Sequence, residues 1–368
     1  MIIAHVLNRA VQTMQNVCYN HRNNVRDGAA FLLSANLPMR TVAETAKAYI
    51  TPDGPPAPAP VAPFVAETVA VNIALLRATH SADYHYARGA RALTTYLRLV
   101  PPPTRGYQRL LCDELRIAPA PHSVPRFTDE WGTTLIEIHQ ERVESHQTLV
   151  AATLVETVGC YDAVGAAVPT PMALFVPVAR PAGDYLSPTP LTDPDDLLRD
   201  DAHQIGRQTD GTPPLARLMA FAGFVHSRMR FQSGTTGVRT KAMEAWQNKI
   251  GVCQDYTHIL LALCRLNGIP ARYVSGCVPG EGVMHAWAEA CLPHPTDPAL
   301  LCWWPVDPTY NKWVGERYLS VAAGRDYHDI APTYGTYYGG ANTLRHRSQI
   351  VIEQKATRLL ARAGKNNP

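Results

Sequence analysis

Hydrophobic positions change their period several times along the chain, and each change marks an element. In the first fifty residues Ile3, Val6, Leu7, Ala10, Val11, Met14, Val17 and Cys18 recur at three- and four-residue spacing, which predicts a helical segment over residues 1–51. Residues 52–63 alternate Pro with Ala, a pattern that neither helix nor central strand tolerates, and they predict an extended, semi-rigid linker. Between residues 73 and 159 the period falls to two. Residues 94–99, 110–117, 133–140 and 147–156 read as strands with proline only at their ends, giving a mostly β accessory domain over 70–168.

A proline-rich bridge over residues 169–194 returns the chain to helical spacing. Leu218, Met219, Phe221, Ala222 and Val225 predict an apolar helix over 215–229, and a short helix over 239–248 has Thr240 as its expected N-cap. A third helix starts at Cys253, with Ile259, Leu260, Leu263, Cys264 and Leu266 along one packed side. Gly268 fits its C-cap and Pro270 stops it. Residues 271–278 and 283–291 then read as neighbouring strands joined by the turn 279–282. A third strand over 302–306 carries Pro305, which argues for an edge or irregular position. Helix followed by consecutive hairpin strands is an α+β arrangement. It sets a core over residues 169–345, with 346–368 as a C-terminal strand and tail.

Composition narrows the function classes. A chain of 368 residues with 46% hydrophobic and 18% charged residues is an ordinary globular protein of two or three domains. The net charge of +3 is too small to point to nucleic acid or an acidic membrane. No apolar run reaches membrane-spanning length, and His5, Asn8 and Arg9 interrupt any leader-like stretch, so a cytoplasmic location is the expectation. The 8 cysteines form no CxxC pair, which favours reduced thiols over a disulfide framework. Cys291, His294 and Cys302 do not have the spacing of a tetrahedral zinc site, and neither metal nor cofactor is expected.

Candidate chemistry gathers around Cys253. At a helix start its sulfur meets unpaired N–H groups and the positive helix end, both of which favour a thiolate. A cysteine there also suits half-buried packing. Strand periodicity puts His285, Trp287 and Glu289 on one face, and Asp307 leaves its strand just before Pro308. Taken singly, His285 reads first as a satisfied core histidine and Asp307 as the start of a turn. Together with Cys253 they supply nucleophile, base and orienting acid on three separate elements.

The stretches Gly251-Val252-Cys253-Gln254-Asp255, Gly268-Ile269-Pro270-Ala271-Arg272 and Met284-His285-Ala286-Trp287-Ala288-Glu289, with Trp304-Pro305-Val306-Asp307-Pro308, resemble the bacterial transglutaminase-like family. These are cysteine enzymes with a papain-like core. Residues 97–101, 129–132 and 185–190 resemble the β domain that often precedes that core, so the likeness runs from about residue 73 to 340. It implies Cys253 as nucleophile, His285 as general base and acid, and Asp307 as the orienting carboxylate. Asp255 is expected to be structural or substrate-orienting, and His258 to stand behind the reacting groups or on the helix surface. Gln232 and Gln247 are candidates for the second oxyanion donor beside the Cys253 backbone N–H. Trp287 and Trp304 read by default as core packing, with a place in the cleft wall as the alternative. Tyr256 and Thr257 replace the common Phe and Ala, and Thr133 stands in place of Asn. No acidic calcium loop is present. The Gly276–Gly282 region reads as a hairpin turn, because no lysine or hydroxyl ending makes it a phosphate cradle.

The resemblance implies an amide or peptide hydrolase working through a thioester. Transamidation onto an amine acceptor and a non-catalytic peptide-binding scaffold are the alternatives. The expected partners are a peptide or amide substrate and, for transfer, an amine.

Overall fold

In the computed structural model, residues 67–106, 108–160, 182–295 and 297–362 are described. The helix expected over 1–51 and the linker over 52–63 lie outside them. Strand-forming runs begin with β1 (Glu67–Tyr86), β2 (Ala90–Leu97), β3 (Thr104–Arg105) and β4 (Gln108–Ala118). β5 (Arg126–Thr128), β6 (Thr134–Val143) and β7 (His146–Cys160) follow. Alternation in these strands decides what is buried. Ile136 and Ile138 of β6 and Leu149 and Ala151 of β7 turn inward, together with Ala82, Tyr84 and Tyr86 of β1, and form one apolar cluster.

The second half opens with α1 (Asp196–Gln208), whose first turn is capped by Asp195 accepting the Leu198 N–H at 2.9 Å. α2 (Pro214–Arg228) begins on a proline, whose missing N–H costs nothing at that position. After β8 (Arg230–Phe231) comes the short α3 (Ala242–Asn248). Its expected N-cap is one residue off: Glu244 accepts the Lys241 N–H at 3.1 Å, while Thr240 Oγ1 accepts from Gly237 instead. β9 (Ile250–Gly251) then leads into α4 (Cys253–Leu266). Spacing suggested one packed side for α4, but the helix is buried on every side from Gln254 to Arg265. α1, α2 and α3 surround it, and it rests on β10 (Ala271–Cys277) and β11 (His285–His294).

With β12 (Asp297–Asp307), β13 (Lys312–Trp313) and β14 (Leu319–Gly324), these strands form an antiparallel sheet in the order β13-β12-β11-β10-β14. Pro305 sits where β12 has lost most of its outer neighbour, since β13 pairs only with Val306 and Asp307.

The chain then turns back. β15 (Thr333–Gly339) pairs with β2, and β16 (Asn342–Arg362) pairs with β1 along its entire length. Two sheets result, β16-β1-β7-β4-β3 and β15-β2-β6-β5. A core running to residue 345 was expected, but residues 333–362 add strands to the first two sheets. A single apolar cluster joins Ala74, Leu76, Ala78 and Val155 of the first sheet to α4 and the strands of the core. Polar ties cross the same boundary. Arg105 Nη2 meets Glu289 at 3.1 Å, Gln108 Nε2 donates to the Ser320 carbonyl at 2.6 Å, and Ser320 N–H returns a bond to Gln108 Oε1 at 2.8 Å. Burial works to raise the Glu289 pKa, but Arg272, with Nε at 2.7 Å, and Arg105 together hold it below the ordinary carboxylate value.

One cysteine departs from the expected reduced state. Cys112 on β4 is disulfide-bonded, whereas Cys253, Cys264, Cys277, Cys291 and Cys302 are free. Scattered cysteines favoured reduced thiols, and only the approach of two Cβ atoms across elements decides such a bond.

Candidate active site

The sequence Gly251-Val252-Cys253 makes a sharp entry into α4. Val252 is extended, at φ −113° and ψ −178°, and the helix begins with Cys253. Asp255, in the first turn, reaches back so that its Oδ2 accepts the Val252 N–H at 2.7 Å and the Thr236 hydroxyl at 2.7 Å. Burial pushes the Asp255 pKa up, against those hydrogen bonds. The carboxylate leaves no room beside Gly251, where a Cβ would stand 2.6 Å from Asp255 Oδ2. On the other side β8 pairs with β9, placing Phe231 opposite Gly251, and Gln232 N–H bonds to the Gly251 carbonyl at 3.0 Å. The result is a half-buried thiol at a fixed helix start, with first-turn N–H groups beside it.

His285 opens β11 across from this thiol. Its Nε2 lies 2.8 Å from Asp307 Oδ2, and Cys253 and Asp307 both act electrostatically on the imidazole. Burial alone would depress the His285 pKa. The bonds and charges of Asp307 and Cys253 outweigh it and push the value up to about 10, so the ring carries a proton at neutral pH.

Asp307 is itself held on all sides. Oδ1 accepts the Thr309 N–H at 2.8 Å and the Tyr310 N–H at 3.3 Å, while Oδ2 also accepts the Tyr318 hydroxyl at 2.7 Å. The Tyr310 ring stacks on the imidazole at 5.5 Å between centroids. Neither tyrosine was singled out in the sequence. Tyr310 stands three residues beyond Asp307 and was open to suspicion, but Tyr318 lies past β13, where no period or motif points back to the carboxylate.

Cys253, His285 and Asp307 thus meet, and the other candidates separate by role. Asp255 braces the entry to the helix through the Val252 N–H. Gln232 is exposed beside the loop that precedes Cys253. Gln247 is engaged elsewhere, donating to Asp195 at 2.5 Å. Trp287 and Trp304 are fully buried and form no cleft wall. Trp287 packs edge-on to Tyr318 at 5.3 Å, and Trp304 donates to the Leu292 carbonyl at 3.2 Å.

His258 is not on the helix surface. It is buried against Tyr273, it accepts the Tyr327 N–H at 3.3 Å, and burial, with the nearby Arg265 guanidinium and His328, lowers its pKa to about 3. Among the described residues no group of three His, Cys, Asp or Glu side chains is disposed to hold a metal ion.

Comparison with known proteins places both halves. Residues 203–308 match the transglutaminase-like superfamily, and residues 76–156 match the bacterial transglutaminase-like N-terminal region. An uncharacterised protein of Mycobacterium leprae is 31% identical over 289 residues, covering 76% of this chain and 97% of its own. An uncharacterised protein of Mycobacterium tuberculosis is 29% identical over 292 residues, covering 71% and 87%. Among solved structures, a proposed cysteine protease from Cytophaga hutchinsonii covers 80% of this chain and 100% of its own, with a TM-score of 0.59 at 19% identity, a likeness of fold.

Proposed function

The chain belongs to the bacterial transglutaminase-like family, and from that premise we propose that it hydrolyses an amide or peptide bond through a thioester formed on Cys253. The observation that carries the reading is Asp307 at 2.8 Å behind a buried His285 whose pKa Asp307 and Cys253 push up. In this reading the imidazolium stands against a thiolate. Sulfur attacks the amide carbonyl, and the oxyanion that forms is met by first-turn N–H groups of α4, Cys253's own among them. His285 Nε2 is engaged by Asp307, so Nδ1 gives its proton to the departing amine. The C–N bond breaks and a thioester remains. Water, losing its proton to the now neutral His285, attacks the thioester, and the acid and the free sulfur are regenerated. Throughout, Asp307 holds the ring and stabilises its charged form.

The experiment pairs two incubations. The protein and a panel of peptide amides are kept with and without an excess of a primary amine, and products are read by mass spectrometry. Free acid in both incubations is the expected result. A new amide whenever amine is present would replace hydrolysis by acyl transfer. If Cys253 reacts with iodoacetamide no faster than a free thiol at neutral pH, the enzyme reading itself falls and a binding scaffold takes its place.

A further inference from the structure

Large apolar side chains standing in water call for an occupant when they gather at one place. Among the described residues, Phe231 (50% exposed), Val238 (51%), Val283 (52%) and Tyr310 (44%) all lie on segments that frame the Cys253–His285 pair. Phe231 is opposite Gly251, two residues before the nucleophile. Val238 follows the turn whose Gly237 carbonyl accepts from Gln254 Nε2 at 3.5 Å and whose Thr236 bonds to Asp255, both acceptor and donor partners lying in the first turn of α4. Val283 is two residues before the base, and Tyr310 stacks on its ring. The acidic group at this rim, Glu281, is engaged by the Tyr310 hydroxyl.

Resting on the cysteine-enzyme reading, we propose that the acyl donor is a peptide with large apolar side chains on both sides of the attacked amide. The chemistry assigns the sides. The departing amine must leave past His285, which protonates it, so the residue after the scissile bond lies along Val283 and Tyr310. The acyl residue stays on sulfur and lies along Phe231 and Val238. Covering these side chains with apolar substrate removes their surface from water, which a charged or small polar residue does not do.

Two peptidyl chloromethyl ketones test the acyl side, one ending in Leu-Phe and one in Asp-Ser, with iodoacetamide as a probe that carries no side chain. Labelling rates of Cys253 in the full chain are normalised to a free thiol. The apolar probe is expected to win by about tenfold or more. Phe231→Ser should bring the two probes within about threefold of each other once each rate is divided by that variant's own iodoacetamide rate. On the leaving side, Val283→Ser should raise KM about tenfold for an internally quenched peptide with Leu after the cleaved bond, with kcat nearly unchanged. Equal rates for the two probes, or an apolar preference that survives both substitutions, would overturn this assignment alone. Slow labelling by iodoacetamide in the unmodified protein would instead remove the nucleophile, and this inference with it.

Discussion

Asp307→Asn removes one charge from the row behind the sulfur and keeps the shape of a fully buried side chain. The rise of the His285 pKa from 6.5 to about 10 corresponds to about 5 kcal/mol in favour of the imidazolium. Asp307 and Cys253 supply it between them, against burial. Assigning about half to Asp307 gives ~2.5 kcal/mol, or roughly seventyfold in the ratio of the imidazolium–thiolate pair to the neutral pair. Near pH 6.5 the variant should therefore react with iodoacetamide ~10–100-fold more slowly at Cys253. At high pH, where ordinary thiols are ionised unaided, the two proteins should converge. Peptide-resolved mass spectrometry separates Cys253 from the buried Cys264, Cys277, Cys291 and Cys302. Superimposable pH–rate curves for the two folded proteins would refute the coupling of carboxylate, ring and sulfur.

Tyr318→Phe takes away the 2.7 Å hydrogen bond to Asp307 Oδ2 and should slow Cys253 labelling near pH 6.5 by about three- to tenfold, with a shifted pH profile and unchanged melting within a few degrees. An unchanged profile would make Tyr318 a packing residue only. Glu289→Gln leaves Arg105 and Arg272 buried without a counter-charge and should cost about 3–5 kcal/mol in urea unfolding at pH 7. Because the folded pKa of Glu289 is depressed, its contribution is present above about pH 4.5 and fades as pH falls through the folded value, so the gap between variant and parent should close in acid. His258, with a folded pKa near 3 against an ordinary 6.5, costs nothing above pH 6.5 and removes stability as pH falls. By pH 5 the loss is about 2 kcal/mol, and His258→Gln should lose that much of the pH 5 to 7.5 difference in unfolding free energy.

The parts of this molecule that show in the sequence are those whose signals are local. Ile136 and Ile138, alternating with half-buried residues, announce β6, and Gly268 at φ +72° ends α4 where a left-handed cap was expected. Cys253, His285 and Asp307 stand out because each sits where an element starts or stops, and punctuation by Gly251 and Pro308 makes such places visible. What stayed hidden depends on distant partners. A strand was expected over 346–368, but its start at Asn342 and its partner were not legible, because β1, more than 250 positions earlier, offers it a full-length edge from Glu67 to Tyr86. Trp287 and Trp304 are buried as their default reading had it, but the cleft alternative stayed open because no period tells whether a strand face will be covered. The burial of α4 on all sides likewise requires knowing that three helices and a sheet converge on it.

The face of β11 that carries His285 explains how the β-rich domain bears on the site without contributing a reacting group. Period two places His285, Trp287 and Glu289 in a row. The first is the imidazole bonded to Asp307. The second wedges its ring against Gly276, where a Cβ would lie 2.4 Å from the indole, and so fixes how closely β10 and β11 approach. The third is gripped by Arg272 within the core and by Arg105 from β3 of the other domain. A shift of β11 along its axis would therefore have to break a buried double ion pair before it could move the imidazole away from the sulfur. Arg105 in turn is placed by the sheet that β16 completes. The last strands of the chain thus help to hold the base in register through an unbroken series of contacts, which is a structural reason for the β domain to enclose the core in the chain rather than simply precede it.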